Sequence, residues 1–192
     1  MKKILILVII FFSTISTINA EDIKRITVGN VDAKITIIAY ESLTCSHCAN
    51  FHKDVYPQLK KEYLDTGLAK IEFRHFPLDI AAFNASKVSQ CKNDGDSNIL
   101  NSLFANQQKW VKGNSVEAAN KNLQKFLVNE GFNIDFEKCI ENKEIEDFVL
   151  NDRIDGVKKF KVNATPTIII NDEKFEKTLN YKNLKKALEK LI

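Results

Sequence analysis

The chain has 192 residues, 44% of them hydrophobic, and a formal net charge of +3. That length suits one domain, or one domain with a large insertion. Without Lys2 and Lys3 the charge falls to +1, so nothing electrostatic points to nucleic acid. No internal repeats or low-complexity segments are present, which sets aside solenoid and disordered architectures.

The N-terminus reads Met1-Lys2-Lys3, then an apolar run from Ile4 to Phe12, then polar residues Ser13 to Asn19 ending at Ala20. This is the order of a secretory signal peptide, with cleavage expected near Ala20. The nine-residue run falls well short of the ~20 residues that span a bilayer. Export places the four cysteines in an oxidising compartment, where an even count is consistent with two disulfides.

The remaining chain, 21–192, reads as a single domain. Ile26-Thr27-Val28 predicts a short strand with a turn at Gly29-Asn30. Residues 35–42 form a β-branched and apolar strand, and a helix is expected from Cys45 to about Asp65. Pro57 lies inside that helix and predicts a kink near Lys53–Asp54. Thr66-Gly67 ends it with a residue suited to a left-handed cap. Ala69 to Phe76 is the next strand, with Ile71, Phe73 and His75 on one face, stopped by Pro77. Strand, helix and strand together fit a βαβ unit.

From about 79 to 142 the pattern is helical, and it reads as an insertion packed over that unit. Ser115 and Asp135 are candidate helix caps, and Trp110 is a candidate core residue of the insertion. A longer helix is expected from Lys143 to Phe160, with Ile145, Phe148, Val149, Val157 and Phe160 inward and Gly156 as a weak point. Ala164-Thr165-Pro166-Thr167 leads into Ile168-Ile169-Ile170, a hairpin turn at Asn171-Asp172 and a return strand. Tyr181 to Ile192 is the last helix, with Leu184, Ala187, Leu188 and Leu191 as its buried stripe.

The chemistry concentrates at Cys45-Ser46-His47-Cys48, between the long strand and its helix. A helix N-terminus presents unpaired N–H groups and partial positive charge, which favour a thiolate. A thiolate is the species that attacks disulfides, so Cys45 reads as the attacking sulfur and Cys48 as its resolving partner.

In this order, strand, Cys-x-x-Cys, kinked helix, strand, helical insertion, Thr-Pro, hairpin and final helix resemble the thioredoxin fold carrying the insertion of DsbA proteins. The resemblance is to DsbA-like periplasmic oxidoreductases of alphaproteobacteria and covers residues 26–192. It is carried by Tyr40 to His52 (YESLTCSHCANFH), Pro57 to Gly67, Phe73 to Asp79 and Ala164 to Thr167. The fold class it implies is α/β, a central mixed sheet flanked by helices, with an inserted all-helical subdomain. It also implies an exposed Cys45, a buried Cys48, and tuning of the thiolate by Ser46 and His47. Pro166 would be a cis-proline, with the Thr165 backbone turned outward to pair with a substrate strand.

Two departures stand out. Ser46 replaces the proline that many DsbA proteins carry before the histidine. The usual buried acid six residues before the nucleophile is Ala39 here, and the acid is Glu41. Positions 39 and 41 share a strand face, so Glu41 is either a proton relay for Cys48 or an exposed strand-end glutamate. Cys91 and Cys139 lie within the insertion and read as a structural disulfide, with a regulatory disulfide as the alternative.

The resemblance implies an enzyme that introduces disulfides into unfolded exported proteins and is reoxidised by a DsbB-like membrane quinone oxidoreductase. It is expected to act as a monomer without a cofactor. A reductase or isomerase of the same fold is the alternative. From another class comes a zinc-binding exported protein, using Cys48 and His52 on one helix face with Cys45, His47, Cys91 and Cys139. Only one Cys-x-x-Cys half-site is present, which weighs against a closed tetrahedral set. His52 is expected to flank the active-site surface and His75 to pack at a strand end, neither with a catalytic role.

Overall fold

Ile35–Glu41 (β2) is almost wholly buried, as a β-branched run with neighbours on both edges should be. A computed structural model describes residues 22–192; the signal segment and the expected cleavage near Ala20 lie outside them. The sheet also contains β1 (Thr27–Gly29), β3 (Ala69–His75), β4 (Thr167–Ile170) and β5 (Glu173–Lys174), in the order β1-β3-β2-β4-β5. β2 runs parallel to β3 and antiparallel to β4, and the two outer pairings are antiparallel. This is a thioredoxin fold, a mixed sheet flanked by helices.

Register explains where the site forms. Tyr40 pairs with Thr167, so the C-terminal end of β2 lies beside the N-terminal end of β4. The segment after β2 carries Cys45, and the segment before β4 carries Thr165-Pro166. One end of two adjacent strands inside the sheet therefore delivers both.

Helix formation begins directly after Cys45, which is the N-cap of α1 (Ser46–Asn50). A π-helical turn (Phe51–Val55), α2 (Tyr56–Leu59) and a second π turn (Lys60–Leu64) continue it. Pro57 has no N–H to give, and the wide turn before it absorbs the lost bond: the Tyr56 N–H reaches back to the Phe51 carbonyl. Gly67, with φ +76°, closes the segment in the left-handed region.

Six helices fill the stretch between β3 and β4: α3 (Ile80–Gln90), α4 (Asn98–Ala105), α5 (Gln107–Trp110), α6 (Val116–Asn129), α7 (Phe136–Glu141) and α8 (Lys143–Phe160). Ser115 and Asp135 cap α6 and α7 by accepting from the Ala118 and Lys138 N–H groups. α9 (Tyr181–Leu188) ends the fold. No described helix is long and apolar enough to cross a membrane.

One face of the sheet, with Ile37, Ala39 and Phe73, shares a continuous core with Leu103, Trp110, Leu123 and Phe136 from the helices after β3. The opposite face places Ile38, Tyr40 and Ile169 with Phe76 and Val162. This alternation along β2 is the period of two expected of a strand buried on both faces.

Three packing expectations need correction. Val157 is 46% exposed and so does not join the buried stripe of α8; Leu191 is 45% exposed and lies beyond the last helix, which stops at Leu188 rather than Ile192. The buried line of α8 is Ile145, Val149, Asp152 and Gly156. Gly156 is more than a weak helical position: a Cβ there would sit 2.8 Å from Cε1 of Tyr40. The small residue lets α8 approach the Tyr40 ring, which also packs against Phe76 and Phe160. Gly156→Ala would gain helix propensity yet is expected to destabilise by about 1–3 kcal/mol through overpacking, read as a lower urea midpoint.

Candidate active site

Cys45 is partly exposed and Cys48 fully buried, and both are free thiols. Cys45 Sγ lies 3.4 Å from the Thr165 carbonyl oxygen, across the cis Thr165–Pro166 peptide bond. The Cys45 thiol is pulled down to about 5. The Cys48 thiol hydrogen bond contributes most, joined by Thr165 and by the backbone N–H groups of Cys48 and His47, and burial opposes them. Cys48 moves the other way: burial raises it most, and the hydrogen bond to Cys45 and the charge of Glu41 add to that. The pair is therefore asymmetric, an anionic sulfur at the surface over a protonated one below.

Ser46 and His47 are both exposed. The contribution of His47 to Cys45 comes through its backbone N–H. Its ring lines a cleft of about 560 Å3 with Phe51, Asp54, Thr165, Pro166 and Tyr181.

Glu41 is 4% exposed, which overturns the exposed strand-end alternative. It lies on the face of β2 that looks toward the helix, and its Oε2 is 2.9 Å from His52 Nε2. Burial raises the Glu41 carboxyl above the ordinary carboxylate range, and His52 opposes that rise. His52 lines a cleft with Ser46, Lys53 and Phe104 beside the Cys45 turn. Its side chain is 5% exposed, stacked on Phe104 with ring centroids 4.1 Å apart. It packs in an aromatic group with Phe51, Tyr56 and Phe73.

Gln107, unforeseen from the sequence, reaches from α5 into the turn before α1. Its Nε2 donates to the carbonyls of Leu43 at 2.8 Å and Cys45 at 3.0 Å. Thr44 is held likewise, its hydroxyl donating to Asp79 at 2.7 Å. The segment carrying Cys45 is thus fastened to the helices on its flank by side-chain bonds whose sequence separation hides them.

Cys91 and Cys139 are bonded to each other, tying the end of α3 to α7. With these two engaged, the wider ligand set of the zinc reading is not assembled. Among the described residues no group of three His, Cys, Asp or Glu side chains is arranged to hold a metal ion. His75 is buried at the end of β3 with its Nε2 3.3 Å from Gln90 Oε1, and burial lowers its pKa.

The sheet order, the Cys-x-x-Cys at a helix N-terminus and the facing cis-proline define a thioredoxin-type dithiol protein. The chain belongs to the thioredoxin family, whose model, described as Thioredoxin, matches residues 21–190. Within it the resemblance is to DsbA-like thiol–disulfide oxidoreductases. Wolbachia pipientis alpha-DsbA1 superposes with a TM-score of 0.75 at 31% identity, covering 87% of this chain and 90% of that one. Oxidised BdbD of Bacillus subtilis gives 0.70 at 25% identity, with 86% and 91% covered. By sequence, disulfide bond formation protein D of Bacillus subtilis is 27% identical over 84% of this chain and 74% of its own length. Rickettsial chains provisionally named protein-disulfide oxidoreductases are longer: this chain spans 66% of the one from Rickettsia bellii and 62% of the one from Rickettsia prowazekii.

Proposed function

We propose that this protein is an exported thiol–disulfide oxidoreductase that donates the Cys45–Cys48 disulfide to unfolded exported proteins. The observation that carries the reading is the asymmetry of the pair, with Cys45 held down to about 5 while Cys48 is held up. A substrate thiolate attacks Cys45 Sγ, forming a mixed disulfide and releasing Cys48 as a thiolate. Cys48 takes up a proton, and its supply is assigned to Glu41, whose carboxyl is raised by burial and whose charge acts on Cys48. A second substrate thiolate then attacks the substrate's own sulfur in the mixed disulfide and expels Cys45. Because Cys45 is the more acidic thiol, it is the better leaving group and rests as a thiolate. The substrate loses two electrons and gains a disulfide; the protein gains them as a dithiol. The low Cys45 value stabilises the reduced form, which makes the disulfide more oxidising.

Pro166 and the Thr165 backbone form the edge on which an extended substrate would lie. Cys91–Cys139 is assigned a structural role. The helices from about 79 to 142 act as an insertion, and residues 1–20 as a cleaved signal. Reoxidation is assigned to a DsbB-like membrane quinone oxidoreductase, with the periplasm as the compartment. A glutathione titration of the Cys45–Cys48 pair tests the direction of transfer. An oxidase is expected to sit well above the roughly −270 mV of thioredoxin, each ~30 mV being about 1.4 kcal/mol between the two forms. A value near thioredoxin's would turn the reading to the reductase or isomerase of the same fold.

A further inference from the structure

Two clefts of unlike charge flank the first turn of α1. One, of about 560 Å3, runs from His47 and Thr165-Pro166 past Asp54 and Gln58. The other, of about 800 Å3, lies between the helix and α4–α5, bounded by Ser46, Lys53, Lys60 and Phe104. Asn50 lines both, so they meet over the helix just beyond Cys45. In the first, Asp54 is the one carboxylate and no lysine or arginine lines the wall. In the second, both charged residues are lysines and no carboxylate is present. Lys60 is already bonded to Asp65 at 2.5 Å. Lys53 and Asp54, both exposed, join no ion pair among the described residues. Consecutive positions of one helical turn, they serve opposite clefts.

We propose that a polypeptide bound for exchange at Cys45 is read on both sides of its reacting cysteine, a basic side chain lying toward Asp54 and an acidic one toward Lys53. The proposal rests on the thiol-exchange reading of Cys45 and names the substrate class it prefers. Lys53 and Asp54 lie eight and nine residues beyond Cys45, about 12–14 Å along the helix at about 1.5 Å per residue. An extended chain advances about 3.3 Å per residue, so three or four residues on either side of the cysteine span that distance. Pairs of this kind are solvent-exposed, so the preference should be moderate and sensitive to salt.

The test uses two isomeric peptides with one central cysteine, lysines before it and glutamates after it, or the reverse. Both compete for Cys45 in the Cys48→Ser protein, which cannot resolve the product. In a glutathione buffer the peptide thiolate attacks Sγ of Cys45 in its glutathione mixed disulfide. The bond from Cys45 to the peptide forms, the bond to glutathione breaks, and glutathione leaves as a thiolate. Mass spectrometry gives the ratio of the two peptide adducts, each normalised to that peptide's exchange with glutathione alone.

One isomer is expected to win by about 3- to 10-fold at low ionic strength, with the ratio falling toward one at high salt. The preference should reverse in Lys53→Asp/Asp54→Lys, which conserves net charge. It should shrink in the single variants Asp54→Asn and Lys53→Gln, which test the proposal should the double variant fold poorly. Equal adducts, or a preference untouched by these substitutions, overturn the proposal and leave thiol exchange standing. No adduct at Cys45 with either peptide overturns the thiol-exchange reading and the proposal with it.

Discussion

Ultraviolet titration of the reduced protein is expected to show one thiolate forming with a midpoint of about 5, assigned to Cys45, and none from Cys48 until strongly alkaline pH. Cys45→Ser should remove that transition and reduce thiol exchange to the uncatalysed background. Cys48→Ser should keep an acidic thiolate, shifted upward because the Cys48 thiol is the largest contributor to its stabilisation. The low value carries a stability consequence with a definite sign. Cys45 titrates at about 5 in the folded reduced protein against an ordinary 9.0. Its contribution to folding is therefore full above pH 9, declines through the window from 9 to 5, and is gone below it. The disulfide form has no such thiol to titrate. Acidification across that window should thus destabilise the reduced form relative to the oxidised one. The slope is at most about 1.4 kcal/mol per pH unit, and less where solvent screens the partly exposed sulfur. Urea unfolding of both forms at several pH values measures the difference. Parallel curves would mean that Cys45 has an ordinary thiol.

Local pattern carried much of this fold into the sequence. Residues 35–41 had to be a buried strand, since nothing in them is polar enough for a surface apart from Thr36 and the terminal Glu41. That Thr165-Pro166 faces Cys45 came from the resemblance to DsbA proteins; the local pattern alone marked only a proline at the start of a strand. Partnership across long separations was not legible. His52 stood four residues after Cys48 on the same helix face, a spacing open to metal ligation as well as to packing. Only the register of β2 against the helix turns it toward Glu41, 11 residues earlier. Gln107 is 62 residues from Cys45 and belongs to a helix of four residues, so no periodicity singles it out. Gly156 looked like a defect because propensity weighs the helix alone, whereas its purpose lies in the Tyr40 ring across the interface.

Removing the second disulfide should cost the most stability of any change away from Cys45. Cys91 and Cys139 are 48 residues apart in sequence. In the chain-entropy model, a loop of that length held closed in the unfolded state stabilises the fold by about 4 kcal/mol. Cys91→Ala/Cys139→Ala is therefore expected to lower the unfolding free energy by about that much, a shift of roughly 2 M in the urea midpoint for an m-value near 2 kcal/mol/M. Cys139 is fully buried, so part of any further loss would come from packing around the truncated side chain. The closed loop also contains Phe104, stacked on His52, and Gln107, bonded to the Cys45 carbonyl. A bridge that only stabilises leaves the Cys45–Cys48 potential where it was once the variant is folded. A bridge that also holds Phe104 and Gln107 in place moves that potential, because both contacts end on groups that surround the dithiol. Measuring stability and potential on the same variant therefore separates the structural reading of Cys91–Cys139 from the regulatory one. A displacement of ~30 mV, equivalent to about 1.4 kcal/mol, would assign the bridge to the second.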